Sequence, residues 1–488
     1  MSKYHEIAEL IFPEIKITTA DLEIQYPPRN LKPEAIVTRF APSPTGFLHT
    51  GSLFTSLVSW RFAKQTEGVF FLRLEDTDQK REIKGSGDKV VEQLMKFGIT
   101  PDESYVHDGA YGPYIQSERR LIYHTVIKDM IKAGIAYPCF CTHDELNEIR
   151  KEQEAKKELP GYYHEYAKCR FLSDDEVIEK LKNKTEFVIR FKSLGVNDEK
   201  VILEDGIRGN IEFPKNIQDV VIMKTDGLPT YHFAHVVDDH LMRTTHVTRG
   251  EEWMPSAPIH LELFEQLNWT KPVFCHYPVI MKMDGDKRRK LSKRKDEEAS
   301  VDYFLEKGYP ISGFLEYLMT LANSNFEEWR LTNPKADIFE FKLDFLKMSL
   351  DGALFDLEKV KSISKEVLGN MNKDDFAQAA LDYAQNYNKE LYDLIVSDPD
   401  YFKEIINIER DQEKPRKDYE KFSDVLPIIN FMYDEYFDQL SKEIQFNQRF
   451  DQNLLIDLLE EYRDSFTLDV DQETWFNQMK EIAVGRNF

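Results

Sequence analysis

The sequence predicts an α/β fold: a parallel-sheet domain split by an insertion and followed by an all-α C-terminal region. Three observations carry this. AIVTRF (35–40), a Pro- and Gly-containing turn, the segment GSLFTSLVSWRFAKQTEG and VFFLRLED (69–76) read in order as strand, turn, helix and strand, the βαβ unit of a parallel sheet. After a mixed stretch of residues 106–219, strand-and-loop character returns at VVIMKTDGLPTYHFAHVVDDH. Beyond about residue 370 apolar residues recur at helical spacing: Phe376, Ala380, Tyr383, Ala384 and Tyr387, then Leu455, Leu458, Leu459 and Tyr462.

Each element has its own local signal. In the first helix Leu53, Leu57 and Trp60 share a face and Gly68 is the stop. Ser300 reads as the N-cap of the helix SVDYFLEKG and Gly308 as its end. A last helix is expected from about Asp471 to Val484, with Trp475, Met479, Ile482 and Ala483 on one face and Gly485 as its stop. A chain of 488 residues is too long for one core. The predicted division is an N-terminal extension (1–34) that Pro27 and Pro28 break, two halves of the sheet domain (35–105 and 220–299), the insertion (106–219), and helical segments over 300–368 and 369–488.

Composition narrows the function classes. Hydrophobic residues at 41% and charged residues at 31% fit a globular protein. The sequence has neither an apolar run of 18 residues nor a signal-peptide pattern, so a cytoplasmic protein with no membrane partner is expected. A formal net charge of -23 argues against a nucleic-acid partner on average. The distribution argues otherwise: KRRKLSKRK (287–295) is a local basic patch fit to meet a polyanion. Four cysteines are too few for a disulfide scaffold, and Cys139 and Cys141, one residue apart, suit a metal better than a disulfide.

Two motifs carry chemistry. In APSPTGFLHTGS (41–52) small residues let the backbone approach a ligand, and the helix that follows offers free N–H groups and its positive dipole end to an anion. His49 stands at that turn, placed to donate to a phosphate. In KLSKRK (290–295) two lysines three residues apart can clamp a pyrophosphate leaving group. Singly, the first also fits an ordinary strand-to-helix connection and the second a solvated basic loop.

Together, and about 240 residues apart, they resemble the two-part signature of class I aminoacyl-tRNA synthetases. His49-Thr50-Gly51-Ser52 is similar to the HIGH motif and Lys290-Leu291-Ser292-Lys293-Arg294 to KMSKS. RFAPSPTGFLHTGS, FLRLEDTD (71–78), TYHFAHVVDDHLM (230–242) and THVTRGEEW (245–253) resemble glutamyl-tRNA synthetases in particular. The resemblance runs from about residue 36 to the C-terminus and is tightest before residue 300. It implies a Rossmann-type catalytic domain, an inserted acceptor-binding domain, a stem-contact helical domain and an all-α anticodon-binding region. The implied reaction joins L-glutamate to tRNA-Glu through glutamyl-adenylate, with ATP, Mg²⁺ and bound tRNA required for the first step. Arg39 and Tyr231 would hold the substrate side-chain carboxylate, Arg249 the α-carboxylate and Glu75 the α-ammonium, with Ala41 and Ser43 lining the same pocket. His49, Gly51, Ser52 and Trp253 would lie on the ATP side, and Lys290, Ser292, Lys293 and Arg294 near the phosphates. The catalytic set would be His49, Gly51, Lys290 and Lys293. His235, which stands where the family often has Asn, would join the glutamate-binding residues. Asp238 and Asp239 would fix loops, and a monomer is expected.

Rivals within the resemblance are set aside on particular residues. Glutaminyl enzymes typically carry Pro-x-Pro-Asn-Gly where this chain has SPTG, and β-barrels where it has helices. A shorter relative that modifies a tRNA base lacks the roughly 190 residues found after KLSKRK. A non-catalytic tRNA-binding relative would be expected to lose His49 or Lys293. Charging of tRNA-Gln in addition stays open. Family members bind zinc through Cys-x-Cys and a later Cys with His or Tyr. Here Cys139, Cys141 and Cys169 are the matching cysteines, Phe171 stands where the His of a Cys-x-His pair would be, and Tyr166 or His164 would supply the fourth ligand. Thr142 and Glu145 would box the start of the next helix. The tail WFNQMKEIA resembles a segment that other members follow with several dozen residues, so an incomplete last domain is expected.

Overall fold

Capping and burial shape the chain from its first turn. The computed structural model describes residues 3–44, 46, 48–78, 83, 85–292, 294–443, 450–467 and 469–486. The N-terminal segment, which the sequence presents only as an extension, holds two helices, α1 (Lys3–Ile11) and α2 (Thr19–Gln25). Thr18 and Asp21 cap α2 reciprocally. Ile7, Phe12, Ile15, Leu22 and Tyr26 are buried in the same core as the central strands.

Strand β1 (Val37–Phe40), helix α3 (Thr50–Gln65) and strand β2 (Val69–Leu72) form the expected βαβ unit, with Val37 opposite Val69 in parallel register. Gly68 is required there: a Cβ would lie 1.9 Å from the carbonyl oxygen of Ile36. Helix α4 (Ser86–Lys96) completes this layer. The middle of the chain runs through α5 (Arg120–Lys132), β3 (Ala136–Cys139), α6 (His143–Lys156), α7 (Asp174–Lys182), β4 (Val188–Phe191), β5 (Lys200–Asp205), β6 (Gly209–Pro214) and β7 (Val221–Met223). It returns through α8 (Tyr231–Leu241), β8 (His246–Gly250), α9 (Ala257–Gln266) and β9 (Val273–Tyr277). Thr142 and Glu145 form the capping box expected at α6.

One sheet has the order β3-β4-β7 and is antiparallel; another has the order β6-β5-β9-β8, in which β5–β9 and β8–β9 are parallel. Strand β5 lies within the predicted insertion yet pairs directly with β9, so the central sheet recruits from both. The Thr245 amide donates to the Val37 carbonyl at 3.0 Å, which sets β8 beside β1. The parallel order is therefore β9, β8, β1, β2. Crossovers through α3 and α9 lead away from the middle in opposite directions, so the cleft at the carboxyl ends of β1 and β8 is a topological switch point, where open α/β sheets bind ligands.

A hairpin follows, β10 (Met281–Asp284) and β11 (Lys287–Lys290), turning at Gly285 with φ 62°. Next come α10 (Val301–Lys307), α11 (Ile311–Ala322), α12 (Phe326–Thr332), α13 (Leu357–Asn370), α14 (Lys373–Tyr387), α15 (Lys389–Ser397), α16 (Pro399–Ile406), α17 (Val425–Ile429), α18 (Asp434–Glu443), α19 (Gln452–Ser465) and α20 (Gln472–Gly485). Gly308 closes α10 in the left-handed region, as read from sequence; Ser300 occupies the N-cap but its side chain makes no capping bond. Phe376, Ala380, Tyr383 and Ala384 enter a separate helical core with Leu391, Phe402 and Val425, whereas Tyr387 is exposed. Of the α19 stripe only Leu458 is buried. Helix α20 runs through Gly485, which is its last residue and not a stop beyond it, and among its described residues none is buried.

Candidate active site

A cavity of about 430 Å³ opens at the switch point. Its lining includes Arg39, Ala41, Ser43, Glu75, Tyr231 and Arg249 together with His49, Gly51, Ser52, Trp253 and Lys290. The ends of β1 and β8 thus meet the start of α3 around one space.

The α3 side is built by a cap. His49 is the N-cap residue and its Nδ1 accepts from the Gly51 amide at 2.9 Å. This makes Nδ1 an acceptor and puts the ring proton on Nε2, a donor suited to a phosphate oxygen. A Cβ at residue 51 would stand 3.3 Å from His49 Nδ1, so glycine keeps that approach open. Lys290 is largely exposed, and its Nζ contacts Glu252 at 2.7 Å. Ser292 and Arg294 do not line the cavity: the Ser292 amide donates to Asp296 Oδ2 at 3.0 Å, and Arg294 is exposed. Lys293 lies outside the described residues. Asp296, which the sequence reading passed over, anchors this loop. It accepts two bonds from Arg289 at 2.6 and 2.8 Å, and it meets Lys282 at 3.3 Å. Arg289 first, and then the Ser292 amide and Lys282, hold its carboxyl well below the ordinary range.

Beneath the β1 side lies a buried ionic network. Arg39 Nε donates to Asp239 Oδ1 at 3.2 Å, Arg73 Nη1 to Asp239 at 2.9 Å and Arg73 Nη2 to Glu75 at 3.1 Å. Asp238 accepts from Arg119 at 2.6 Å, Gln116 at 2.9 Å and Tyr123 at 2.7 Å. Three carboxylates and three guanidiniums therefore compensate one another, the condition for burying charge. Arg73 and Arg119, both fully buried, escaped the sequence reading. A basic residue inside the apolar strand FLRLED was the available signal for the first. Burial pushes the Glu75 carboxyl up, against the pull of Arg73 and Arg39. Burial also opposes ionisation of Asp239, but Arg39, His235 and Arg73 outweigh it and hold that carboxyl well below its usual range.

His235 corrects an expectation. It is fully buried and does not line the cavity; its Nδ1 sits 2.8 Å from Asp239 and 3.4 Å from Arg39, behind the pocket wall. Burial lowers its pKa to about 4, against the pull of Asp239, so the ring is neutral at neutral pH.

In the inserted region the Sγ atoms of Cys139, Cys141 and Cys169 all lie within 4.8 Å of one another, with Cys141 and Cys169 3.5 Å apart. The Tyr162 hydroxyl stands 3.4 Å from Cys139 Sγ and 3.2 Å from Cys141 Sγ. A tetrahedral zinc with Zn–S of about 2.3 Å and Zn–O of about 2.0 Å spaces its ligands roughly 3.5–3.8 Å apart, so this donor set fits zinc with a small adjustment. Of the tyrosines named, Tyr162 is the one whose hydroxyl stands against the sulfurs. The Tyr166 hydroxyl instead bonds Glu158 at 2.7 Å and Lys156 at 3.1 Å, and His164 is not in the cluster.

Comparison with known proteins agrees with this geometry. Residues 35–351 match the family model "tRNA synthetases class I (E and Q), catalytic domain". A glutamate--tRNA ligase of Clostridium perfringens (strain 13 / Type A) is 46% identical over 486 residues, covering 99% of this chain and 89% of that protein. One from Acetivibrio thermocellus is 44% identical over 489 residues, with 99% and 89% covered. The crystal structure of a glutamate tRNA ligase from Elizabethkingia meningosepticum in complex with its amino acid superposes with a TM-score of 0.72 at 31% identity, over 93% of this chain and 91% of that one. With its β1–α3 signature turn, its switch-point cavity and these relatives along nearly its whole length, the chain belongs to the class I tRNA synthetases, in the glutamate--tRNA ligase family.

Proposed function

We propose that the protein activates L-glutamate with ATP and transfers it to the 3′-terminal ribose of tRNA-Glu. The observation that carries this is the cavity that brings two buried arginines, Arg39 and Arg249, to face the capped start of α3. A dicarboxylate needs two cationic partners, and a guanidinium meets a planar carboxylate with two parallel bonds. Arg39 and Tyr231 take the side-chain carboxylate, Arg249 the α-carboxylate and Glu75 the ammonium. His49, Gly51, Ser52 and Trp253 receive ATP, which enters with Mg²⁺.

The α-carboxylate oxygen then attacks the α-phosphate and pyrophosphate leaves. A tRNA hydroxyl next attacks the acyl carbon of the adenylate and AMP leaves. No protein nucleophile is needed, so these residues act by orienting reactants and by stabilising charge that develops on the phosphates. Lys290 exchanges its contact with Glu252 for the leaving pyrophosphate, with Lys293 beside it in sequence. The reading places the reaction in the cytoplasm, carried out by a monomer; no helix among the described residues is long and apolar enough to cross a membrane. Aminoacylation with glutamate and glutamine, on tRNA-Glu and tRNA-Gln transcripts side by side, tests it. Preferential charging with glutamine would overturn the assignment, and glutamate transfer to tRNA-Gln as well would mark a non-discriminating enzyme. Pyrophosphate exchange as fast without tRNA as with it would overturn the tRNA requirement of the first step.

We also propose a structural zinc on Cys139, Cys141, Cys169 and Tyr162. It would hold the end of β3 to the segment before α7 and would take no part in the reaction.

A further inference from the structure

Arg249 differs from the other arginines around the cavity in what it bonds. Arg39 and Arg73 each have a carboxylate partner. Arg249 is 5% exposed and has no ion-pair partner among the described residues. Its partners are imidazoles: Nε donates to His276 Nε2 at 2.8 Å, and Nη1 lies 3.4 Å from His260 Nδ1. Its Nη2 is buried without a hydrogen-bond partner, and the residue lines the cavity. A buried guanidinium N–H left unpaired is costly, and a ligand carboxylate is the group that removes that cost.

The tautomer of His276 makes the arrangement possible. His276 is fully buried and its Nδ1 lies 2.6 Å from Asp205 Oδ2. Asp205 is in turn held at the end of β5 by the amides of Ile207 at 2.9 Å and Arg208 at 3.0 Å, both on Oδ1. A carboxylate accepts only, so the imidazole proton sits on Nδ1 and Nε2 is left as the acceptor for Arg249. Burial and the nearby Arg249 keep the ring neutral, against the pull of Asp205.

We propose that Asp205 and His276 are positioning residues: they fix the Arg249 fork through a neutral acceptor, leaving its charge uncompensated for the α-carboxylate of the substrate. This rests on the assignment of Arg249 to that carboxylate. A carboxylate in place of His276 would hold the same angle but compete for the charge. The α-carboxylate is also the attacking group, so the fork sets the direction of attack as well as binding.

Asp205→Asn gives a specific test. The amides of Ile207 and Arg208 retain the amide oxygen of the new side chain at the Oδ1 position, which turns its NH₂ toward His276 Nδ1. The imidazole proton is then driven to Nε2, facing the Arg249 N–H. The KM for glutamate and the inhibition constant for 4-aminobutyrate, which is glutamate without its α-carboxylate, are measured in the tRNA charging assay alongside the KM for ATP. The expected result is glutamate binding weakened by at least about tenfold, the loss of one charge-assisted contact, with 4-aminobutyrate and ATP changed less than about twofold. His276→Gln, whose amide donates to Asp205 and accepts from Arg249, should restore most of what His276→Leu loses. Equal weakening of both ligands, or a glutamine variant no better than leucine in folded protein, overturns the proposal. Arg249→Ala separates the two layers. If that variant still prefers glutamate over 4-aminobutyrate, the Arg249 assignment itself fails. If it loses the preference while folded Asp205→Asn keeps it, only the positioning role fails.

Discussion

Arg39 has a duty on each side of the pocket wall: its Nε faces Asp239 within the protein while the residue lines the cavity. On the proposed assignment, removing it deletes a charge-assisted contact to the substrate worth about 1.5–3 kcal/mol. Arg39→Ala should therefore raise the glutamate KM or lower turnover at least about tenfold, with a much smaller change in the ATP KM. Early melting with intact glutamate kinetics would instead make Arg39 a structural ion-pair partner only. Glu75 gives a pH prediction. Its carboxyl is raised by burial, against the pull of Arg73 and Arg39, and it must be ionised to hold an ammonium. As pH falls, Glu75 takes up its proton before an ordinary carboxyl would, so kcat/KM for glutamate should decline at a pH above the ordinary glutamate range. The stability sign is opposite: a raised folded-state pKa favours the protonated protein, so the Glu75 contribution to stability is lost as pH rises through that pKa. Glu75→Gln should flatten the acid limb of the rate profile. An unchanged acid limb in that variant would remove Glu75 from ammonium binding.

At the scale of elements, the two chemical motifs sit on differently supported structures. The first is a strand-to-helix turn whose position was legible in sequence, whereas the N-cap bond from the Gly51 amide to His49 Nδ1 emerged only in the structure. The second is a hairpin and loop tied down by Asp296, four residues beyond Ser292 and reached also from Arg289 and Lys282. Nothing in KLSKRK announces that anchor, since Asp296 reads as one more solvated acid in KDEE. Asp296→Ala should free Arg289 and the Ser292 amide together and lower kcat about tenfold or more while leaving the glutamate KM within about twofold. A kcat equal to the unsubstituted enzyme would show that the loop holds itself. The cysteine cluster tells a similar story. Spacing pointed to its three sulfurs, which the structure brings together; Tyr162 and Tyr166 are four residues apart, and sequence alone does not show that the Tyr162 hydroxyl is the one turned toward them. Elemental analysis should find about one zinc per chain after purification without chelators, lost in Cys139→Ser and weakened in Tyr162→Phe but not in Tyr166→Phe. Less than about a tenth of a zinc per chain would leave the cluster as reduced thiols.

At the scale of the molecule, the segment least legible in sequence is one that ties separate elements together. Residues 1–34 carry few signals, and their helical character emerges only through packing: Ile7, Phe12, Ile15, Leu22 and Tyr26 are buried together with Tyr123, Val126 and Ile127 of α5 and Val177 of α7. Polar ties reinforce this. Lys128, almost fully buried, donates to the carbonyls of Phe12 at 2.9 Å and Ile15 at 2.7 Å, just past the end of α1. Glu23 reaches His240 and Arg243 at 2.6 Å each, and Arg29 forms a two-bond pair with Glu103 at 2.6 and 2.8 Å. The segment thus straps α5 and α7 of the middle region to α8 and the loop before β8, elements that also carry His235, Asp238 and Asp239 behind the pocket. Deleting residues 1–34 should uncover a contiguous apolar face on α5 and strand Lys128 without its acceptors. The expected result is a melting temperature lower by roughly 5 °C or more, since several buried side chains contribute about 1.5–3 kcal/mol each and one kcal/mol shifts the melting temperature of a domain of about 150–250 residues by about 2–4 °C. Binding of a hydrophobic dye should rise in the same protein. Because none of the deleted residues lines the cavity, the KM for ATP should stay within about twofold at low temperature. Lys128→Ala distinguishes a strap from a passive cover. It removes the ammonium that donates to both carbonyls and pairs with Glu9 at 2.8 Å and leaves the apolar face in place, so it should lower the melting temperature by itself; if it melts with the parent protein, the Lys128 tie adds nothing to the hold on the segment.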